Sequence, residues 1–293
     1  MLGPLRHWRE IIYLWPYRSP RFLRGCASKI CDQFEILRIV SSPMLFGLAR
    51  LAPILPFKYL ANGYLARGLT VKERASCLAH HYRRLNAKVP ASIVSQVLYR
   101  DMILLQRQTP NCLCKVILGF ERHAVREGEL FLHLRVDGST IFVLQFTVIP
   151  GWVVKSKVSD VLLISRLQGA KGCFPQIHQA TKAFNDVAPP ALLLSTLQGI
   201  AAAYGVREMA GVCATRQFSH CDKFADSFKR QYDDFWLDIG ADRATEIFFS
   251  SPLPPLEKPL ILVHNGHQAR AKKKRAFKLK IATEVSQLLV HAS

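Results

Sequence analysis

Two glycines and one lysine follow a run of apolar residues and have the composition of an anion-binding loop. Residues 161–167 read as a strand, and Gln168, Gly169, Lys171 and Gly172 come directly after it. Glycine lets backbone N–H groups approach a ligand closely, and the lysine ammonium adds positive charge. We therefore predict that this loop binds an anionic cofactor. The alternative is a solvated turn, because two glycines at this spacing are a weak signal.

Further side chains are candidates for proton transfer. Glu129, like Glu127 beside it, is a carboxylate that could act as a general base toward a substrate amine. His220 lies between a predicted strand and a predicted helix, close in sequence to Cys213 and Cys221, so a Cys–His pair is a second hypothesis. The alternatives are that the glutamates begin a strand at the rim of a hairpin and that the histidine has no catalytic partner.

Several common catalytic and metal-binding motifs are absent from the sequence. No G-x-S-x-G, H-E-x-x-H or Walker loop occurs, so hydrolase and nucleoside-triphosphatase functions have no support. The eight cysteines contain no C-x-x-C, and Cys112 and Cys114 form an isolated C-x-C without a second pair at metal-ligand spacing. On a strand these two thiols share one face. We predict reduced, packed cysteines and no metal site.

The positive charge of the chain is concentrated at its two ends. The 40 Lys and Arg residues exceed the 21 Asp and Glu residues by 19. Residues 1–29 contain six basic side chains and one acidic one, and residues 268–280 contain seven basic side chains and no acidic one. Such segments attract polyanions. The sequence therefore predicts an anionic membrane surface as a partner of 1–29 and 268–280, with nucleic acid less favoured.

The composition of the N-terminal segment refines that prediction. Tryptophan, tyrosine and phenylalanine alternate with arginine along 1–29, as in segments that lie in the headgroup layer of an anionic leaflet. The alternative is a docked extension with a solvated charged face. No run of about twenty apolar residues and no signal-peptide pattern occurs, so we expect a cytoplasmic protein, peripheral on the inner membrane.

Periodicity predicts helices first and strands afterwards. A helix should begin after Thr70, with Glu73 completing a capping box, and end at Pro90. Asp137-Gly138 between alternating runs predicts a tight β-hairpin. Besides 161–167, the predicted strands are 112–120, 129–136, 141–149, 206–214, 247–249 and 260–263, and further predicted helices are 176–184, 189–204 and 222–239.

This order predicts an α+β fold with a mixed, largely antiparallel sheet, flanking helices and a helical N-terminal region. We expect three parts: a basic helical region at 1–100 that packs on the core, an α+β core domain at 101–265, and a basic tail with a last helix at 266–293.

Several strings between residues 60 and 265 resemble the VirK-like family of Gram-negative bacteria. They are Glu127-Gly128-Glu129-Leu130, Leu167-Gln168-Gly169, Ala180-Thr181-Lys182, the segment 190–204, and Tyr232-Asp233-Asp234-Phe235-Trp236 with Gly240. At Pro189-Pro190 the chain departs from the family pattern, in which a basic residue often follows the first proline. The resemblance implies an intracellular, virulence-associated protein that supports envelope integrity or resistance to cationic antimicrobial peptides.

The order of elements is also similar to that of the acyl-CoA N-acetyltransferase superfamily. In that fold a glycine loop and a helix N-terminus bind the pyrophosphate of coenzyme A, which Gln168, Gly169, Lys171 and Gly172 would do here. The similarity implies that Tyr232 protonates a leaving thiolate. Its spacing from Phe228, Phe235 and Trp236 equally fits a core residue. In this sequence about sixteen residues separate the loop from Pro189, whereas the superfamily's loop usually feeds its helix directly.

Three functions remain open from the sequence. The first is a non-catalytic envelope factor that requires no cofactor. The second is an acyltransferase that uses coenzyme A or an acyl carrier protein and modifies an envelope component or envelope protein. The third is a nucleic-acid-binding regulator. Nothing in the sequence decides whether catalysis occurs.

Overall fold

Eight strands form one sheet in a computed structural model that describes residues 30–120, 126–257 and 259–292. The predictions for 1–29 lie outside the described residues. The strands are β1 (Met102–Thr109), β2 (Cys112–Phe120), β3 (Leu130–Val136), β4 (Ser139–Pro150), β5 (Asp160–Gly169), β6 (Glu208–Val212), β7 (Asp242–Arg243) and β8 (Phe248–Pro252).

The sheet is mixed and largely antiparallel, in the order β1-β2-β3-β4-β5-β6-β8-β7. The first five strands form an antiparallel meander, β6 is parallel to β5, and β8 is antiparallel to both β6 and β7. The α+β prediction is confirmed, as is a sheet that unites the Asp137-Gly138 hairpin with the two strands around 161–167 and 206–214. Asp137 and Gly138 have φ values of 49° and 86°, as a tight hairpin turn with two left-handed residues requires.

Helices cover both faces of the sheet. They are α1 (Ile30–Val40), α2 (Phe46–Leu51), α3 (Val71–Lys88), α4 (Ala91–Tyr99), α5 (Phe174–Ala183), α6 (Pro189–Tyr204), α7 (Ala225–Gln231), α8 (Asp233–Asp238) and α9 (Gln268–His291). One core lies between the sheet and α5, α6 and α9, and a second lies between the opposite face and α1–α3. Because β5 is covered on both faces, its residues 161–164 are continuously apolar rather than alternating.

The ends of two helices follow the predicted local chemistry. The Thr70 hydroxyl accepts a hydrogen bond from the Glu73 N–H, and the Glu73 carboxylate accepts one from the Thr70 N–H, which completes the capping box of α3. Gly205 ends α6 in the left-handed conformation. Within the described ranges, no helix combines the length and the hydropathy needed to cross a bilayer.

Three segments differ from the predictions. β1 was not predicted, because its outer half exposes polar side chains and alternates weakly. Leu260–Leu262 is a short 3-10 turn rather than a strand, since its apolar side chains face solvent instead of a sheet. The predicted helix 222–239 is divided at Tyr232 into α7 and α8, and the basic residues 268–280 form the first half of α9 rather than a tail before a helix.

The cysteines that the structure describes are free thiols. They are Cys77, Cys112, Cys114, Cys173, Cys213 and Cys221. The sulfur atoms of Cys112 and Cys114 lie 3.6 Å apart on one face of β2, as the C-x-C spacing on a strand predicts. Burial raises the pKa of the Cys114 thiol to about 12, so this thiol is protonated and unreactive at neutral pH.

Candidate functional site

Strand β5 separates from β6 partway along its length. The two strands pair only at Leu162–Ile164, whereas β5 continues to Gly169. On the other edge of β5, Ile164 pairs with Phe146 of β4 and Arg166 with Gln145, so Ser165 is the extra residue of a β-bulge. A bulge bends its strand and increases its twist. Within the part of the chain that the structure describes, the β6-facing edge of β5 therefore has no strand partner beyond Ile164.

Side chains from α7 and α8 lie along this open edge. The Gln231 side chain donates a 2.7 Å hydrogen bond to the Leu167 carbonyl. Tyr232 follows it and is 1% exposed, with its ring stacked on Phe228 at a centroid distance of 5.9 Å. Trp236 packs against β6, where a Cβ on Gly211 would overlap its indole. The break between α7 and α8 thus places Tyr232 beside the last residues of β5.

Burial raises the pKa of Tyr232 to about 12, while the backbone of Leu167 and the charge of Arg166 act in the opposite direction. The phenol is therefore protonated at neutral pH and can donate a proton but not accept one. Glu127 adds to the upward shift, so its carboxylate lies close enough to Tyr232 to interact electrostatically.

Glu127 is held next to the bulge. Its carboxylate forms a 3.0 Å ion pair with Arg166, and its backbone carbonyl accepts a hydrogen bond from the Ser165 hydroxyl. Gly128 follows with φ +138°, and a Cβ there would lie 3.2 Å from the backbone nitrogen of Phe146. Glu127 is nearly buried while Arg166 is partly exposed, so the pair lies close to the protein surface.

The glycine loop leaves β5 at the same end. Gly169 packs against the Phe142 ring, and a Cβ added to Gly169 would lie 3.2 Å from that ring. Gly172 has φ +81° with open space around it. Helix α5 begins at Phe174, directly after the loop, and no side-chain hydrogen bond caps it. The sixteen residues between the loop and Pro189 therefore contain a helix, and the loop does feed a helix N-terminus.

Glu129 lies elsewhere, in the core beneath the N-terminal helices. Its side chain is fully buried and accepts hydrogen bonds from Lys58 Nζ at 2.9 Å, from the Tyr64 hydroxyl at 2.8 Å and from the Tyr82 hydroxyl. Burial alone would raise the pKa of Glu129, but Lys58, His81 and these hydrogen bonds hold it below its usual value. We call Glu129, Lys58, Tyr64 and Tyr82 the Glu129 cluster. It is an ionised, hydrogen-bonded group in one core, whereas Tyr232 belongs to the core on the opposite face of the sheet.

His220 lies one ring away from Tyr232. Its imidazole contacts Phe228 edge-on at 5.3 Å, and Phe228 in turn stacks on Tyr232. Among the described hydrogen bonds His220 has none to Cys213 or Cys221, and burial raises the pKa of Cys213 to about 11. The structure thus brings His220, Tyr232 and the loop to one end of β5, without a Cys–His pair.

Ser165, Arg166 and Gln231 were not among the site residues predicted from the sequence. A signal for the first two was present, because a serine and an arginine interrupt the apolar residues 161–167 of a strand that is buried on both faces. Buried polar groups need partners, so their presence in such a strand marks a position with a special environment. For Gln231 we find no signal in the sequence.

Comparison with known proteins identifies the family but no activity. A family profile described as "Protein of unknown function (DUF535)" matches residues 21–287, which is most of the chain. No curated protein matches the chain. No solved structure matches it either, so the similarity to acyl-CoA N-acetyltransferases is not shown. The matched profile covers the strings that carry the VirK-like resemblance, and the chain therefore belongs to the DUF535 family, the family of the VirK-like proteins.

Proposed function

We propose that the protein is an acyltransferase that binds an acyl thioester, carried by coenzyme A or an acyl carrier protein, at the end of β5. The observation that carries the proposal is the open edge of β5 beyond the bulge at Ser165. Apart from the Leu167 carbonyl, which accepts from Gln231, the backbone of such an edge offers N–H and C=O groups to an extended ligand. Pantetheine, which both carriers share, is an extended chain with two amide groups that match such an edge.

The loop supports an anionic carrier. The first N–H groups of α5 have no side-chain cap, and Lys171 stands just before the helix. Helix N-termini favour anions, because their unpaired N–H groups and the helix dipole both present positive charge. A pyrophosphate or phosphate of the carrier would lie between Gly169 and the start of α5.

Tyr232 and Glu127 would carry out the proton transfers. An acceptor amine attacks the thioester carbonyl, and its proton passes to the Glu127 carboxylate. As the new C–N bond forms, the C–S bond breaks and the leaving thiolate takes the proton of the Tyr232 hydroxyl. Because the raised pKa of Tyr232 makes its phenolate a stronger base than the thiolate, the proton held by Glu127 returns to the Tyr232 oxygen as that oxygen gives up its own proton. Glu127 replaces the predicted base Glu129 in this proposal, because Glu129 is fully buried and paired with Lys58, Tyr64 and Tyr82.

The family supports an envelope component as the acceptor. VirK-like proteins are associated with envelope integrity and with resistance to cationic antimicrobial peptides. Acylation of an envelope component from the cytoplasmic side would change the charge or the packing of that component. This reaction would connect the site at β5 with a role in virulence.

Calorimetric titration with coenzyme A and with an acyl carrier protein tests the proposal. We expect the wild type to bind at least one carrier and Lys171→Ala to weaken binding by about 1–3 kcal/mol, the range of a charge-assisted contact. Lys157→Ala is the matched control, because Lys157 is an exposed lysine at the opposite end of β5. A wild type that binds neither carrier would overturn the proposal and favour the non-catalytic envelope factor.

A second proposal is that the protein docks on an anionic membrane surface through α9 and the loop before it. Ile261 and Leu262 are 84% and 74% exposed, and Leu256 is similarly exposed. Glu257 forms ion pairs with Arg275 and Lys278, which hold this loop beside the basic half of α9. Exposed aliphatic side chains next to basic ones fit the boundary between headgroups and acyl chains.

Co-sedimentation with anionic vesicles tests this surface. Ile261→Ser with Leu262→Ser should weaken binding at all salt concentrations, whereas Lys272→Ala with Lys273→Ala should weaken it mainly at low salt. The exposed pair Lys155 and Lys157, changed to alanine together, serves as a control. Unchanged binding by the serine variant would exclude the loop, and tighter binding to RNA than to vesicles would favour the nucleic-acid function.

A further inference from the structure

An apolar cavity of about 70 Å³ lies between α3, α4, α6 and the sheet. Among the side chains that form its walls are Leu85, Val97, Phe146, Leu162 and Ile200. Leu162 stands near the start of β5, whereas the proposed thioester site lies at the end of that strand. The cavity is therefore a separate place in the molecule, and binding of a ligand there does not depend on the proposed acyl transfer.

A buried hydrogen-bond donor without a partner lies in the wall of this cavity. His81 Nδ1 accepts a 3.2 Å hydrogen bond from the Val148 N–H, so in the neutral ring the proton resides on Nε2. His81 Nε2 is buried and has no partner among the described residues. Burial lowers the pKa of His81 to about 4, which keeps the ring neutral. Buried donors are almost always paired, so this one indicates an acceptor that the described part of the chain does not supply.

Basic side chains continue from His81 toward the solvent. Arg84 and Lys88 also line the cavity, and they follow His81 along one side of α3 at intervals of three and four residues. His81 is buried, Arg84 is partly exposed and Lys88 is exposed. The polar groups of the cavity thus run from a neutral donor inside to cations at the mouth, over about two helical turns or roughly 10 Å. One of these cations, Arg84, also pairs through its Nε with Asp160 at 3.0 Å.

We propose that this cavity binds a short-chain carboxylate, with the carboxylate at Arg84 and Lys88, the hydrocarbon chain in the cavity, and a neutral oxygen on that chain accepting from His81 Nε2. The charged end belongs at the mouth for two reasons. An ion pair there keeps contact with water, and the nearby Glu129 carboxylate, which interacts electrostatically with His81, repels an anion inside.

The size of the cavity limits the chain. A water-sized group needs about 10–15 Å³ of such volume, so 70 Å³ accommodates roughly five methylene-sized groups. A six-carbon acid with its carboxylate at the mouth has that length. A hydroxyl or ketone oxygen on the fifth carbon, four bonds along the chain from the carboxylate carbon, would lie about one helical turn inside the mouth, toward His81. The inferred ligand class is therefore a short oxygenated fatty acid or its acyl group.

Calorimetry of the full chain with 5-hydroxyhexanoate and with hexanoate tests the inference. We expect both acids to bind, the hydroxy acid about fivefold more tightly because of one net hydrogen bond. Lys88→Ala should weaken both by about fivefold. Lys72→Ala is the matched control, since Lys72 is an exposed lysine on the same helix but outside the cavity lining. Ala201→Leu, which fills the cavity from α6, should abolish binding of both acids.

The same measurements include outcomes that would overturn the proposed ligand site. If neither acid binds the wild type at millimolar concentration, the proposed ligand class is wrong. If Ala201→Leu binds as well as the wild type, the acids bind elsewhere and the cavity is a packing gap. A melting temperature of Ala201→Leu at or above that of the wild type shows that the variant folds, so that loss of binding is due to the filled cavity. If hexanoate binds more tightly than the hydroxy acid, His81 does not take the proposed role.

Discussion

Glu127 and Glu129 stand on either side of Gly128 and have opposite environments. Glu129 is fully buried and accepts from Lys58, Tyr64 and Tyr82. Glu127 forms an ion pair with one partly exposed arginine, Arg166, and interacts electrostatically with the protonated Tyr232. A buried carboxylate that accepts three hydrogen bonds, one of them from a lysine, stabilises the fold, whereas one with a single partly exposed partner can take part in a reaction. The two glutamates are indistinguishable in sequence pattern, and only their partners separate them.

The largest effect should follow from neutralising Glu129. Glu129→Gln leaves the Lys58 ammonium buried without a counter-charge, which costs about 3–5 kcal/mol of unfolding free energy. This is a large fraction of the total stability of a typical domain, about 5–15 kcal/mol. Urea denaturation measures it. Lys58→Met combined with Glu129→Gln should recover part of the loss, and the exposed Glu246→Gln should have almost no effect.

Acid should weaken the region around the Glu129 cluster through His81. Burial lowers the folded-state pKa of His81 to about 4 from 6.5, so between these values the unfolded chain binds a proton that the folded chain does not. The contribution of neutral His81 to the free energy of unfolding is therefore fully present above pH 6.5. It is lost as the pH falls to 4, by at most about 3 kcal/mol. Urea midpoints from pH 7 to 4.5 measure this slope.

His81→Asn should make that slope smaller, because the amide oxygen can still accept from Val148 but does not titrate. Part of the slope should remain, since burial also lowers the pKa of His80. Equal slopes in the variant and the wild type would contradict a neutral, buried His81.

Gly128 links the two environments, and a side chain there should disturb both. Its φ of +138° is a conformation that residues with a Cβ rarely adopt, and the added methyl would press on the Ser165 hydroxyl and the Phe146 backbone. Gly128→Ala should therefore cost about 1–3 kcal/mol of unfolding free energy. Gly138→Ala is a useful control, because Gly138 also has positive φ but open space around it. Equal losses in both variants would show that backbone strain alone matters.

The smallest effect on stability should come from Glu127. Glu127→Gln removes an ion pair with a partly exposed arginine, which is worth about 0–1 kcal/mol. The same change should remove acyl transfer if Glu127 is the base. Chemical denaturation and a thioester-cleavage assay on one preparation compare the two quantities. A loss of stability like that of Glu129→Gln would show that the two glutamates have similar roles.

Local features of the fold could be predicted from the sequence. The capping box of Thr70 and the Asp137-Gly138 turn are set by residues within four positions of each other, so their chemistry is visible in a short string. The family resemblance was confirmed over most of the chain. The acyltransferase function stays a hypothesis, as does the role of the loop 168–172.

Features that depend on distant partners could not be predicted. Lys58 and Tyr82 are 71 and 47 residues from Glu129, so no short pattern marks the burial of that carboxylate. Leu260–Leu262 has the composition of a strand, but no neighbouring strand stands beside it and its side chains face solvent. Tyr232 was predicted on one continuous helix, whereas the break at that residue is what places it beside β5.

The long separation within the Glu129 cluster has a consequence for the synthesis of the protein. Lys58, Tyr64 and Tyr82 leave the ribosome before Glu129, and at 5–20 residues per second the 71 residues from Lys58 take about 4–14 s to follow. During that interval the N-terminal helices have apolar faces but no sheet to cover them. We expect the nascent chain to be a chaperone client until β3 and β4 emerge, which makes the order of translation part of how this fold is reached.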